Sequence, residues 1–535
     1  MRPLFIILSC FLLTQCARQS QPGGGPKDID APELLVSTPK NGEKNFHGKI
    51  VQLTFDEFIK LKDPKEEIVI TPSFGPNTKF VAKKNRVSIY PEFNLQDTTT
   101  YSIAFRDGIQ DLNESNPADD LHLAFSTGST IDSMKLSGSV AELFNEKVPT
   151  KITIALFQSD TFNIFKHRPV LFTKGDKTGK FLISNLKPGN YYVYAFDDKN
   201  KNQKVDSQSE RFGFLANSIS LPQQKDSLHL NLIHLDARQI KLTTIRNSSS
   251  ISIIRFNKAI DSIKLSAEKS IIYTYGDTRS EIIVYKDFDK QDSVKINIHA
   301  TDSIQQKLDT TVYVKYSENK YPEDKFKMTD WVTTYDATTN SLTAATTTNK
   351  LLSAVTYDSI YIQIDTINFQ SITPKDIIYD TLRKKFTIKT QLHTDPKSPA
   401  TNPILLIGNG ALITIDGDSS KSRDLKIKIP KPEETGTVVI ELNTQEKHFQ
   451  VLLTTPDNKP IQSFKDQKKY TFSHLIPGEY KITIIIDTNN NGRWDPGSFY
   501  KREEPEKVKQ YKTLENKASF PIRANWELGP LVIEF

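Results

Sequence analysis

The chain of 535 residues has two cysteines, Cys10 and Cys16, and both stand in its first sixteen positions. Everything beyond Cys16 therefore lacks a disulfide, a thiolate nucleophile and any cysteine-ligated zinc or iron–sulfur centre. Long apolar runs are equally scarce. Beyond Leu4 to Leu13, no segment approaches the roughly 20 apolar residues that span a bilayer as a helix. Neither sign of charge dominates: 70 Lys and Arg against 64 Asp and Glu leave a formal charge of +6 with both signs interspersed. No stretch concentrates basic residues among aromatics, so no nucleic-acid partner is expected.

Catalytic signatures are missing as well. There is no G-x-S-x-G elbow, no H-E-x-x-H and no phosphate-binding loop; "GDKTGKF" at 175–181 has the wrong spacing and ends in Phe. The nine histidines are scattered singly, and His122, His229 and His299 fall inside alternating stretches, where a surface or packed histidine is the expectation. The acid pairs Glu66–Glu67 and Glu503–Glu504 read as solvated loop charges. No amphipathic pattern of helical period runs longer than about ten residues.

What is present is alternation. "VSIYPEF", "YSIAF", "LHLAF", "KITIALF", "VKINIHA", "FTIKTQL", "LKIKIP" and "LVIEF" all switch between apolar and polar residues, and turn clusters such as "PKNGEKN", "DLNESNP" and "GDSSKS" separate many of them. Tyr and Phe number 19 and 30, an enrichment that favours strands. At roughly 150 residues per domain the length allows three to five domains. The expected fold class is all-β: tandem antiparallel β-sandwiches in a multidomain rod.

The N-terminus, "MRPLFIILSCFLLTQCARQSQPGGGPKD", carries one Arg and then an apolar run of signal-peptide length. "LTQC" resembles a bacterial lipobox, with Leu13 and Thr14 in place and Gln15 departing from the usual small residue. The resemblance implies a signal peptide at 1–15, a lipid on Cys16 and a flexible tether at 16–30 containing Gly23, Gly24 and Gly25. An ordinary signal peptide and a retained anchor are the alternatives.

An internal repeat organises the remainder. "FLISNLKPGNYYVYAFDDKNKNQKVD" (181–206) and "YTFSHLIPGEYKITIIIDTNNNGRWD" (470–495) align without a gap. Leu186, Pro188, Gly189 and Tyr191 match Leu475, Pro477, Gly478 and Tyr480. The sequence predicts a strand that ends at a Pro-Gly turn, with Gly supplying the permissive φ and Tyr starting the return strand. The "L-x-P-G-x-Y" core resembles the transthyretin-like module of carboxypeptidase regulatory domains, which implies β-sandwiches at 129–237 and 431–535.

A second module type is carried by Pro39 to Gly42, "LTFDEFI" (53–59), "TTYSIAF" (99–105) and "AFSTG" (124–128). These resemble the bacterial Ig-like domain of S-layer proteins, implying such a domain at 31–128. "IIRFNKAID" (253–261) and "IYIQIDTIN" (360–368) echo its second strand. They suggest further Ig-like sandwiches at 238–320 and 345–430, joined by a linker at 321–344.

The repeats end in loops of metal-ligand character. With Asp487 as position 1, oxygen side chains fall at Asp487, Asn489, Asn491 and Asp495, Gly492 is at the sixth position, and Arg493 offers its carbonyl. This is the first part of an EF-hand-type calcium loop. Ser498 stands where a bidentate Glu is usual, so Glu503 or Glu504 would have to fold back. Asp198, Asn200, Asn202 and Asp206 repeat the pattern, but Gln203 replaces the Gly, and Lys199, Lys201 and Lys204 crowd it. The alternative is an Asx-rich hairpin bonded to its own backbone. Trp331, Trp494 and Trp526 suggest either a carbohydrate platform or ordinary packing.

The combined expectation is a non-enzymatic outer-membrane lipoprotein, facing the periplasm or the cell surface. It would hold the membrane through its lipid and serve a structural, adhesive or partner-binding role toward an unknown protein or glycan. Calcium is the one cofactor suggested. The alternative is a glycan-binding lipoprotein of an uptake system.

Overall fold

The computed structural model describes residues 28–535 apart from 145–147, 149–151, 224–226, 249, 287–292, 317–324, 337–338 and 394–402. Cys10 and Cys16, and with them the expected signal peptide and lipid site, lie outside the described residues. Alternation becomes strands throughout. Among the described residues, helix is confined to the four-residue turn Pro64–Glu67 and three 3-10 turns. The chain divides into two compact units: Met1–Val140 with Thr150–Val205 and Ser218–His229, and Ala141–Pro149 with Asp206–Asn217 and Leu230–Phe535.

In the first unit, Leu34–Thr38, Val51–Phe55, Arg86–Tyr90 and Lys79–Lys83 form a four-stranded antiparallel sheet in that order. Val69–Thr71, Thr100–Ala104 and His122–Ser126 form a second sheet. In "VQLTF" the residues Val51, Leu53 and Phe55 are fully buried while Gln52 and Thr54 are not, the period-2 pattern of a half-buried strand. Their side chains join Ile89, Ile103, Phe105 and Phe125 in one core. The same unit carries the first repeat copy. Lys180–Leu186 pairs with Met134–Glu142, and Ile152–Phe157 lies between Leu171–Lys174 and Gly189–Asp197. Thr71 Oγ1 donates to the Phe172 carbonyl at 2.5 Å and the Ser73 amide to Val170 at 2.8 Å, so the two parts share a hydrogen-bonded seam.

Among its described residues the second unit gathers three cores. Leu242–Asn247, Ile251–Phe256, Glu281–Tyr285 and Tyr273–Tyr275 form one sheet, which faces Ser262–Ser266, Ser293–Thr301 and Lys307–Lys315 across the first core. The second core gathers Leu342, Ile360, Ile362, Phe386, Ile388 and Leu405. The third surrounds Val438, Val451, Phe472 and Ile484. There Gly436–Asn443 pairs in parallel with Glu527–Glu534. The first two cores are bolted together. Lys384 is buried and donates to the Tyr275 carbonyl at 2.8 Å, while the Tyr275 amide donates to Leu382 at 2.8 Å.

One expectation is corrected here. Within the expected linker 321–344, the described residues are part of a sandwich: Val332–Asp336 pairs with Ser341–Thr347, and Met328, Trp331 and Tyr335 pack on the second core. Its apolar residues are separated by Thr and Asp, which hides a short edge strand among turn-like residues.

The structure also explains the "L-x-P-G-x-Y" motif. Tyr191 Oη donates to the Lys187 carbonyl at 2.7 Å, and Tyr480 Oη donates to the Ile476 carbonyl at 2.6 Å. In both copies the phenol ties the return strand to the residue before the proline. The positive φ expected at the glycine is present at Gly189 (153°) but not at Gly478, and in both copies the residue before the motif's leucine, Asn185 (φ 61°) or His474 (φ 57°), is left-handed. Each lies where the strand register shifts, so a bulge on the incoming strand sets up the turn.

Candidate functional site

In the second repeat, strand Gly478–Ile486 delivers Asp487 to the end of the sheet, where it is 3% exposed. Its carboxylate accepts the amides of Asn491 at 2.9 Å and Gly492 at 2.7 Å. Gly492 has φ 80°, a conformation that costs a glycine little. Asn489 Oδ1 accepts the Asn491 amide, and Asn491 Oδ1 accepts the Arg493 amide at 2.9 Å. Both side-chain amides donate to Asp495 Oδ2, at 2.5 and 2.7 Å. Asp487, Asn489, Asn491 and Asp495 are therefore brought together, and each is committed to an Asx-turn network.

The residue that folds back on this loop is Glu506, which the sequence reading missed. Its carboxylate accepts the Thr488 amide at 2.8 Å and the Asp495 amide at 3.0 Å, and its carbonyl accepts Trp494 Nε1 at 2.9 Å. Glu503 pairs through its backbone with Ser498, and Glu504 accepts the Ala216 amide at 2.8 Å. The donor chemistry of the loop fits a hard cation, since every candidate atom is oxygen. Two features oppose one. Lys465 lies so close that a Cβ at position 492 would meet its Nζ at 2.4 Å, and the amide nitrogens of Asn489 and Asn491 face Asp495. Among the described residues, no group of three or more His, Cys, Asp or Glu gathers around a common point.

The first copy has the same backbone with different chemistry. Lys201 and Gln203 are left-handed at φ 60° and 58°, as Asn490 and Gly492 are in the second copy at 54° and 80°. Asp198 accepts the Gln203 amide at 3.1 Å, Asn200 accepts that of Asn202, and Asn202 accepts that of Lys204. Asp206 accepts the Gln208 amide, and its own amide donates to Glu210. A protein cation serves the first position: Lys174 Nζ lies 3.8 Å from Asp198 and 3.5 Å from Glu66, with its side chain 5% exposed.

Burial pushes the Asp198 carboxyl above its usual range, with the Lys174 charge opposing. A raised folded pKa favours folding while the group is protonated in both states, and that contribution is lost as pH rises through the folded value. Asp198→Asn keeps an oxygen for the Gln203 amide and removes the charge. At pH 7 it is expected to be at least as stable as the parent, with the margin vanishing below the ordinary aspartate value of 3.8. Melting midpoints from pH 3 to 8 measure this; a variant weaker at pH 7 would mean that the Lys174 attraction outweighs burial.

The surroundings of the 487–495 loop belong to a joint within the second unit. Trp494 meets Phe144 edge-on at 4.7 Å, and Gln510 donates to the Phe144 carbonyl. Phe499 packs against Phe212 and Phe214 at 6.0 and 5.6 Å, Tyr500 Oη donates to Ala237 at 2.9 Å, and Arg493 pairs with Asp261 at 3.6 Å. The three tryptophans do different things. Trp331 packs on Phe386 at 6.0 Å, Trp494 closes the joint, and Trp526 lies at the surface beneath Arg523.

Residues 28–127 match the family model described as a bacterial Ig-like domain. Residues 145–228 match one described as an uncharacterized protein conserved in bacteria (DUF2141). Residues 28–127 are thus similar to a bacterial Ig-like domain, and residues 145–228 to a second bacterial module. A comparison with curated proteins finds no match. Solved structures with partial likeness include the Bacillus anthracis TIE protein (10% identity, TM-score 0.13, 96% of this chain and 76% of that one). Domains 1–6 of the surface layer protein SbsC follow (9%, 0.17, 91% and 67%). Dimeric latent PorU from Porphyromonas gingivalis is a third (10%, 0.21, 65% and 43%). Overlaps this slight do not establish a common fold over the chain.

Proposed function

We propose that the protein is a non-enzymatic, lipid-anchored component of the bacterial cell envelope with a structural, adhesive or partner-binding role. The observation that carries this reading is the bacterial Ig-like match at residues 28–127, directly after an N-terminal segment that ends its apolar run in "LTQC". Further support comes from how the chain uses its polar residues. Buried or nearly buried charges such as Lys258, Asp302, Lys174 and Asp198 are paired with one another or bonded to backbone. That is the chemistry of a scaffold. The acyl chain on Cys16 holds the molecule at the outer membrane, and residues up to about 30 act as a tether. No helix among the described residues is long and apolar enough to cross a membrane.

Cys16→Ser is expected to move the protein from the membrane fraction to the soluble fraction and to abolish labelling by a palmitate analogue. Labelling that persists in the Ser variant would place the lipid on Cys10 or remove the lipoprotein reading.

A further inference from the structure

The second core of the second unit carries a surface depression of about 390 Å³. It lies on the edge hairpin formed by Ile360–Gln363 and Phe369–Ser371, next to the turn Tyr357–Ser359. In that hairpin Tyr361 stands opposite Ser371, and Gln363 stands opposite Phe369. Tyr361, Phe369 and Ser371 therefore share the outward face, while Ile360, Ile362 and Gln370 point inward and are buried. Tyr361 and Phe369 meet at 5.8 Å with their planes 70° apart, so the two rings make a corner. Tyr357, Asp358, Ile360 and Ile372 also line the depression.

The polar groups around this corner are unspent. Among the described residues, Tyr357 Oη, Tyr361 Oη, the Asp358 carboxylate and Ser371 Oγ make no hydrogen bond or ion pair with the chain. Elsewhere in the molecule phenols from the core to the surface find partners, as Tyr191, Tyr480, Tyr379 and Tyr500 show. Phe369 is 57% exposed, a large apolar side chain left at the surface of an edge strand.

We propose that this corner is a binding site for a neutral saccharide. A sugar ring has an apolar C–H face bordered by hydroxyls, and the site offers aromatic faces bordered by hydroxyls and one carboxylate. The carboxylate accepts two sugar hydroxyls, and the phenols and Ser371 donate or accept. No cation lines the depression, which disfavours phosphate or uronic acid. The volume lies at the lower end of the roughly 300–1,000 Å³ of small-molecule sites, enough for one or two sugar units and not for a deep lipid. The site rests on purified-protein chemistry, so its failure would leave the envelope role untouched.

Saturation-transfer NMR on the whole chain from residue 17 onward tests it, with cellotriose, maltotriose, mannotriose and chitotriose at millimolar concentration. At least one is expected to show saturation of its ring C–H protons. Tyr361→Ala and Phe369→Ala should each weaken that binding roughly tenfold, and Tyr361→Phe should keep the C–H contact while weakening binding less. Should either Ala variant fail to fold, the fully surface-directed Asp358→Ala, with an unchanged melting midpoint, serves in its place. Three outcomes would overturn the proposal: no sugar binds, sugar binding is indifferent to these substitutions, or only a quaternary amine such as choline saturates.

Discussion

Asp302→Ala is expected to destabilise the second unit by roughly 3–5 kcal/mol, the cost of leaving one member of a buried ion pair alone. Asp302 and Lys258 meet at 2.6 Å with side chains 0% and 4% exposed. Lys258 Nζ also donates to the carbonyls of Asp236 and Arg238, at 2.5 and 2.9 Å. The other carboxylate oxygen accepts the amides of Ile304 at 3.0 Å and Gln306 at 2.8 Å. Gln306 in turn reaches the Ala237 carbonyl and the Ile240 amide. The network thus sews the connecting segment 236–240 onto the first core of the unit. Removing the carboxylate strands an ammonium and two amides away from water. Asp302→Asn should lose less, since it retains an amide acceptor. The pair Lys258→Met with Asp302→Leu should recover only the part due to the stranded ammonium, because the Ile304 and Gln306 amides stay unpaired and the Asp236 and Arg238 carbonyls lose their donor. Urea unfolding gives the magnitude, and faster hydrogen exchange at residues 302–306 gives the location. A loss under about 1 kcal/mol would show that water reaches the pair.

The second large effect concerns Asp487. Its carboxylate serves two turn amides in a nearly closed environment, so Asp487→Ala should cost about 2–4 kcal/mol, near 1–3 for each donor left unpaired. Asp487→Asn should cost about half as much, because one oxygen still accepts while the NH2 group faces the other turn amide. Calcium separates the two roles of this loop. We propose that Asp487, Asn489, Asn491 and Asp495, with the Arg493 carbonyl, take up the ion once the two Asn amides turn their oxygens toward Asp495. The expected Kd lies in the range of extracellular modules, roughly 10⁻⁴ to 10⁻³ M. At tenfold excess over Kd the ion adds about 1.4 kcal/mol. Melting curves in millimolar calcium, magnesium or EDTA read this directly. Asp487→Asn should flatten the calcium response, and Lys465→Met should enlarge it by removing the opposing charge beside Gly492. If the parent melts identically in calcium and EDTA, the loop is a hydrogen-bonded turn and nothing more.

Much of the candidate loop was legible because its logic is local. Asp and Asn at alternate positions bond to amides two to five residues on, and the shared left-handed positions show both copies using one backbone path. Glu506 was not legible. It lies eleven residues beyond Asp495, across an irregular stretch in which Glu503, Glu504 and Glu506 look equally able to return. Lys174 was hidden for a related reason: it precedes Asp198 by a full hairpin, and only strand pairing brings it near. The aromatic corner at Tyr361 and Phe369 escaped notice because neither residue departs from an ordinary strand pattern.

The sequence by itself determined the secondary structure class, the repeat and the placement of the turns. Period-2 alternation, β-branched and aromatic residues and Pro-Gly or Asx turns act over a few residues, and their physics is complete within a quoted segment. Only the tertiary structure decided which residues meet across long separations. Phe144 and Trp494 close one joint, Lys384 enters the neighbouring sandwich at Tyr275, and Val332–Asp336 turns an apparent linker into a strand. Burial is what decides such contacts. Whether a Lys, Trp or Tyr faces solvent or spends its polar atom inside the protein depends on the surface laid against it, and that surface is written hundreds of residues away.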